Sequence, residues 1–136
     1  MPAIASSVFS FLVLAASIFL AVWGSLGLIE YLFGVGPIRL QNPVFPDGVQ
    51  LLHWIGITAT GLIYLIGYYR RWQLTPFAMV VAYSVLATLC FVETMDFLTN
   101  RGRYVAMVLE YAAYIVISIY LFRSERMQTH FGRLTY

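Results

Sequence analysis

Residues 91–111, FVETMDFLTNRGRYVAMVLEY, decide how this sequence is interpreted. An apolar run ends in carboxylates, turns through a short basic linker and re-enters a second apolar run. This is the pattern of two membrane-spanning helices joined by a tight turn. A helix does not need a carboxylate to span a membrane, and a charged group there is costly. The presence of Glu93 and Glu110 inside apolar segments therefore needs a separate explanation.

The composition is that of an integral membrane protein. Of the 136 residues, 61% are hydrophobic and 10% are charged, whereas about a quarter of the residues of soluble domains are charged. The mean hydropathy is +0.81. Since each span takes about 20 residues, we predict a single transmembrane domain over residues 1–136. The net charge of +2 comes from arginines near span ends, so we expect no nucleic-acid partner.

Hydropathy and turn residues predict four membrane-spanning helices. The first, at about residues 8–33, is longer than a signal-peptide core and has no basic segment before it, so we expect it to be retained. Residues 34–48 contain three prolines and three glycines, which predict a loop. The other spans are expected at about residues 49–69, 76–98 and 104–122, followed by a polar tail at residues 123–136.

The short connections predict an all-α, up-down-up-down antiparallel bundle, because long crossovers have no chain to form them. Arginines suggest its orientation. With the N-terminus inside, the inner side holds Arg70, Arg71, Arg123, Arg126 and Arg133, and the outer side holds Arg39, Arg101 and Arg103. The positive-inside rule then places both termini in the cytoplasm. We therefore predict a multi-pass protein of a bacterial-type cytoplasmic (inner) membrane.

Two pairs of small or short residues predict close helix packing. Gly24 and Gly27 lie toward the far end of the first span, and Gly56 and Thr60 lie in the second. Small residues allow helix backbones to approach closely inside a membrane. Both packing within the chain and packing between chains are consistent with these positions.

On this topology the acidic and histidine residues within the spans gather at the outer end of the bundle. This polar cluster consists of Glu30, His53, Glu93, Asp96 and Glu110, with Arg101 and Arg103 in the adjoining turn. At 1.5 Å per residue, Glu93 and Glu110 lie about 8 to 10 Å below the outer interface on consecutive helices. We expect these residues to face the bundle interior, because a charged group facing lipid costs about 2.5 to 3.5 kcal/mol.

Three interpretations of the polar cluster follow. In the first, the turn arginines pair with the carboxylates and Arg39 pairs with Glu30, or the same groups pair with a partner subunit. In the second, Glu93 and Glu110 share a proton in low dielectric and act as a proton or cation station. In the third, His53 with Glu93 and Glu110 binds a divalent metal, or His53 marks a quinone-binding redox module.

No catalytic motif is present: the sequence lacks a Ser/His/Asp set, a Gly-rich phosphate loop and an HExxH pair. The layout of four spans is similar to that of small bacterial four-helix membrane families, including the DoxX-like and phosphate-starvation-inducible PsiE groups, and no functional residue is carried over from either.

We expect a non-enzymatic protein without a cofactor, serving as an accessory or assembly subunit of a larger membrane complex or as a homo-oligomer. The alternatives are a small transporter or proton-conducting protein, and a metal- or quinone-binding module. The expected partners are the lipid bilayer and other membrane subunits or copies of the chain.

Overall fold

The computed structural model describes residues 3–36 and 39–132. Within them the chain forms five α-helices and no strand: α1 (Ala3–Phe33), α2 (Asp47–Arg70), α3 (Thr75–Val92), α4 (Arg103–Arg123) and α5 (Glu125–Phe131). A π-helical turn, Glu93–Phe97, continues α3. Four helical segments are long and apolar enough to cross a membrane: α1, α2, α3 with its π-helical turn, and α4. The predicted all-helical, membrane-compatible architecture is therefore confirmed. Arg133, one of the five arginines expected on the inner side, lies outside the described residues.

The helix ends differ from the predicted bounds by a few residues. α1 begins at Ala3 rather than near residue 8. In the additional turn, the Ser6 hydroxyl lies 3.1 Å from the Tyr120 hydroxyl. α2 ends where Arg71 adopts a left-handed φ of 52°. A short turn then leads into α3, which has Pro76 in its first turn, where a missing N–H costs nothing.

Small residues bring α1 and α2 into close contact. Gly24 lies against Thr58, and Gly27 lies against the ring of Trp54, so closely that a Cβ atom on either glycine would overlap its neighbour. Such contact raises the number of van der Waals contacts between helices, which is the main attraction available in lipid. The predicted packing residues of the first span therefore contact α2 of the same chain.

The predicted packing residues of the second span also lie inside the chain. A Cβ on Gly56 would lie 3.0 Å from Leu86 of α3. Thr60 is buried, and its hydroxyl donates to the Gly56 carbonyl at 2.7 Å. α2 thus uses one face for α1 and another for α3.

A large buried cluster lies where α5 folds back on the bundle, which we call the tail end. Its members are Val13, Tyr64, Met79, Tyr83, Tyr120, Leu121, Met127 and Phe131. The sequence predicts a polar, solvated tail here, yet α5 buries Met127 and Phe131 to 1% and 3% exposure. The spacing of four residues places both on one helical face. That apolar pair is the signal in the sequence that indicates a helix here, and sequence reasoning missed it.

α4 is the least buried of the four spans. In its most apolar stretch 11% of the residues are buried, against 28% in each of the other three. It packs along α3, where the Tyr111 hydroxyl donates to the Ala87 carbonyl at 2.9 Å. Its buried residues are Tyr120 and Leu121, both at the tail end. One side of α4 is therefore half-buried against α3, and the other side is exposed along most of the helix.

Candidate functional site

The His53 imidazole and the Glu93 carboxylate meet at the end of the bundle opposite the tail end. We call this the loop end, because the loop between α1 and α2 lies there. His53 Nδ1 and Glu93 Oε1 are 2.9 Å apart, with side-chain exposures of 28% and 9%. With the Glu93 carboxylate ionised, Nδ1 is the atom that carries the proton and donates it, because an ionised carboxylate only accepts hydrogen bonds. The contact joins α2 to the end of α3 across 40 residues of sequence.

Glu93 stands where α3 passes into the π-helical turn. It begins at Glu93, and the Leu98 N–H donates to the Glu93 carbonyl at 2.8 Å, a bond that spans five residues instead of four. The wider turn changes the direction of the side chains that follow. Glu93 and Thr94 are buried in this turn, whereas Asp96 is exposed. Of the two predicted carboxylates at this end of α3, Glu93 alone therefore points into the bundle.

Aromatic rings surround the His53–Glu93 pair. The Trp54 ring lies 4.9 Å from the imidazole, and the Phe45 ring from the loop lies 6.1 Å from it, centroid to centroid. Phe45 in turn contacts Phe97 at 6.2 Å. These rings keep water from part of the pair, and a less polar environment strengthens a hydrogen bond between charged or polar groups.

Glu30 holds the loop instead of pairing with an arginine. Its carboxylate accepts the backbone N–H groups of Leu40, at 2.7 Å, and Gln41, at 3.3 Å. The Gln41 side chain then donates to the Gly27 carbonyl at 2.9 Å and accepts the Trp54 indole N–H at 3.0 Å. Sequence reasoning missed Gln41, and the signal was a long amide side chain within an apolar loop.

Glu110 belongs to a second polar group, farther into the bundle. The Tyr114 hydroxyl donates to its carboxylate, and the Tyr114 ring stacks on Tyr83 at 4.8 Å. The Cys90 sulfur lies 3.9 Å from the Thr94 hydroxyl. Glu93 and Glu110 therefore have different hydrogen-bond partners, His53 and Tyr114.

The arginines of the turn between α3 and α4 take other partners. Among residues 3–36 and 39–132, the His53–Glu93 contact is the single ion pair. Arg103 donates to the Tyr104 hydroxyl at 3.1 Å and lies over that ring at 4.6 Å. Arg101 is exposed. The ion pairs that the first interpretation predicted between the arginines and the carboxylates of the chain do not form in this part of the structure, because nearer partners engage Arg103 and the Glu30 oxygens.

The three candidate metal ligands do not converge. His53 and Glu93 contact each other, while Glu110 accepts a hydrogen bond from Tyr114. No group of three or more His, Cys, Asp or Glu side chains suited to a metal occurs in the part of the chain that the structure describes. The metal and quinone alternatives stay predictions.

Comparison of the chain with protein-family models, with curated proteins and with solved structures found no match. The loop end nevertheless has a definite chemistry. It offers a buried carboxylate bonded to an imidazole, and a second carboxylate bonded to a tyrosine hydroxyl. These groups can exchange protons or accept donors from another molecule. The findings support a helical protein with four segments able to cross a membrane.

Proposed function

We propose that this protein is a small, non-enzymatic integral membrane subunit that associates, through α4, with another membrane polypeptide or with a second copy of itself. The observation that carries the proposal is the low burial of α4, 11% against 28% for the other spans. Lipid can cover apolar side chains without any partner. A polar residue on this exposed helix is what favours a protein partner, because lipid tails offer it no hydrogen bond.

Glu110 is that residue. It is the eighth residue of α4, which places it about 10 Å into the span at 1.5 Å per residue. Its side chain is partly exposed, and Tyr114 donates one hydrogen bond to it. An ionised carboxylate has about four acceptor positions. A donor from a neighbouring helix would use one of the remaining positions, and polar side chains bond in this way across helices in membranes.

In this proposal the four spans form an up-down-up-down bundle in a bacterial-type cytoplasmic membrane, with both termini in the cytoplasm. Contacts near the chain turns support the arrangement: Gly67 lies against Thr75 across the α2–α3 connection, and His53 contacts Glu93 at the opposite end. The tail end carries Arg70 and Arg71. The positive-inside rule favours placing that end in the cytoplasm.

Site-specific photo-crosslinking tests the association. A photo-crosslinking amino acid replaces Leu109 of α4, which is 65% exposed, or Ile66 of α2, which is 56% exposed and serves as the matched control. We expect a discrete polypeptide crosslink at position 109 that mass spectrometry identifies as a partner or as the chain itself. Glu110→Gln should reduce it. Equal crosslinking at positions 66 and 109, or crosslinks to lipid alone, would contradict the proposal.

Proton or ion conduction is the second candidate function, and a row of polar side chains favours it. Two hydrogen-bonded pairs make up the row: His53 with Glu93, and Tyr114 with Glu110. Chains of ionisable side chains are the usual material of proton relays within membranes. The ring of Tyr83, stacked on Tyr114, lies beside the second pair.

Flux measurements in vesicles decide between the two functions. The purified protein is placed in liposomes that contain a pH-sensitive dye, and an imposed potential drives proton entry. If the row conducts, Glu110→Gln should abolish flux, whereas Asp96→Asn, which changes an exposed carboxylate, should preserve it. A wild-type protein without flux above that of empty vesicles would remove this candidate.

A further inference from the structure

We infer that the groove between α1 and α4 at the tail end binds one anionic phospholipid. The groove has a volume of about 830 Å³, within the range of about 300 to 1,000 Å³ typical of ligand sites. Phe9 of α1 faces Val116 and Ile119 of α4 across it. This site lies at the opposite end of the bundle from His53 and Glu93, and it does not depend on the proposed function.

The floor of the groove is suited to an acyl chain. Phe9 packs edge-on against Tyr120, with ring centroids 4.5 Å apart. The Tyr120 hydroxyl donates to the Ser6 carbonyl at 2.9 Å, and the Ser6 hydroxyl lies 3.1 Å from it. Since these polar groups bond to one another, most of the surface that remains for a ligand is apolar. The acyl chain of a bound phospholipid would cover this surface without breaking a hydrogen bond.

The mouth of the groove is suited to a phosphodiester. It is bounded by two guanidinium groups, Arg123 and Arg126, and by one carboxylate, Glu125, which leaves one net positive charge. Arg126 donates to the Ser7 hydroxyl, a neutral partner that uses one of five donors. Neither arginine forms an ion pair within residues 3–36 and 39–132. Arginine binds phosphate oxygens through two parallel hydrogen bonds, so both side chains are suited to one headgroup phosphate.

Charge complementarity favours an anionic lipid over a zwitterionic one. The phosphate of phosphatidylglycerol has no internal counter-charge, whereas the ammonium group of phosphatidylethanolamine would be brought close to two arginines. The apolar groove joined to this mouth favours a lipid over free phosphate. An acyl chain would cover the apolar side chains of the groove, whereas free phosphate would leave them uncovered.

Native mass spectrometry of the full-length protein in mild detergent tests the inference. The protein is given equal amounts of phosphatidylglycerol and phosphatidylethanolamine, and we expect one retained phosphatidylglycerol with roughly tenfold preference, from the attraction of arginines to anionic headgroups. The double variant Arg123→Gln/Arg126→Gln should lose that preference. Arg101→Gln, which changes an exposed arginine in the turn at the loop end, is the control and should keep it. Inorganic phosphate in excess should not displace the lipid.

A second pair of variants tests the apolar groove separately from the charges. Ile119 and Ile115 lie one turn apart on α4 and are 58% and 60% exposed, and of the two Ile119 lines the groove. Ile119→Trp should fill it and abolish retention of phosphatidylglycerol, whereas Ile115→Trp should not. Equal retention of the two lipids by the wild type, or equal retention by the two tryptophan variants, would overturn the inference. The tryptophan pair decides the matter even where the double arginine variant fails to fold.

Discussion

α1 and α4, the first and last spans, are attached to the bundle in different ways. α1 buries a stripe made almost entirely of small residues: Ser6, Ser10, Val13, Ser17, Ala21, Gly24 and Gly27. α4 buries two large residues at one end, Tyr120 and Leu121. Small side chains let two backbones approach along a whole helix, whereas large ones hold helices apart and form local contacts. α1 therefore packs closely against the bundle along its whole length. α4 is attached by a few side-chain contacts, which leave one of its faces free.

The largest effect should come from breaking the shape complementarity between α1 and α2. A Cβ on Gly61 would lie 2.5 Å from the Ala21 nitrogen and 2.6 Å from the Ser17 carbonyl oxygen. Because these are backbone atoms, Gly61→Ala forces the helices apart and should lower the free energy of unfolding by about 2 to 3 kcal/mol. Unfolding by sodium dodecyl sulfate, followed by circular dichroism, measures this. Gly48→Ala is the control, since a Cβ atom on Gly48 would meet no other atom within 4 Å, and an equal loss there would contradict the argument.

The contact between α2 and α3 should give an intermediate effect. Glu93→Ala removes the acceptor of the His53 imidazole and should cost about 1 to 3 kcal/mol of unfolding free energy, because a partly buried donor loses its partner. Asp96→Ala, in the same π-helical turn but exposed, should change stability by less than about 0.5 kcal/mol. A double-mutant cycle with His53→Ala measures the coupling directly, and additive effects would show that the two side chains do not stabilise each other.

The attachment of α4 to α1 should be weaker still. Tyr120→Phe keeps the ring contact with Phe9 and removes the hydrogen bond to the Ser6 carbonyl, so we expect a loss of about 1 kcal/mol. Tyr69→Phe is the matched control, because Tyr69 is 88% exposed. The same denaturation assay applies. A loss larger than that of Gly61→Ala would reverse the ranking of the two spans.

The smallest effect on stability should come from the free face of α4. Leu109→Ala removes a side chain that is 65% exposed, and the free energy of unfolding of the isolated chain should change by less than about 0.5 kcal/mol. Association should decrease at the same time, which blue-native electrophoresis of detergent-solubilised membranes would detect. A complex that remains equally stable in the Leu109→Ala variant would contradict an interface on α4.

Sequence reasoning predicted the helical segments well and the partners of the polar side chains less well. The four predicted segments end within five residues of the ends of the helical segments that are long and apolar enough to cross a membrane, because hydropathy and turn residues are local properties of the chain. The expected arginine partner of Glu30 did not appear, since two loop N–H groups bind it instead. A loop that folds back on a helix supplies donors whose position the sequence does not encode locally.

The sequence by itself determined that four segments are able to cross a membrane and that the acidic and histidine residues within them gather toward one end, because depth along a helix is set by the rise per residue. Tertiary structure decided which groups meet. Ser6 bonds to Tyr120 across 114 residues, and His53 bonds to Glu93 across 40. Such pairings depend on the rotation of each helix about its axis and on how far each helix is shifted along its neighbour. Neither is set by local sequence, because both follow from how the helices pack against one another.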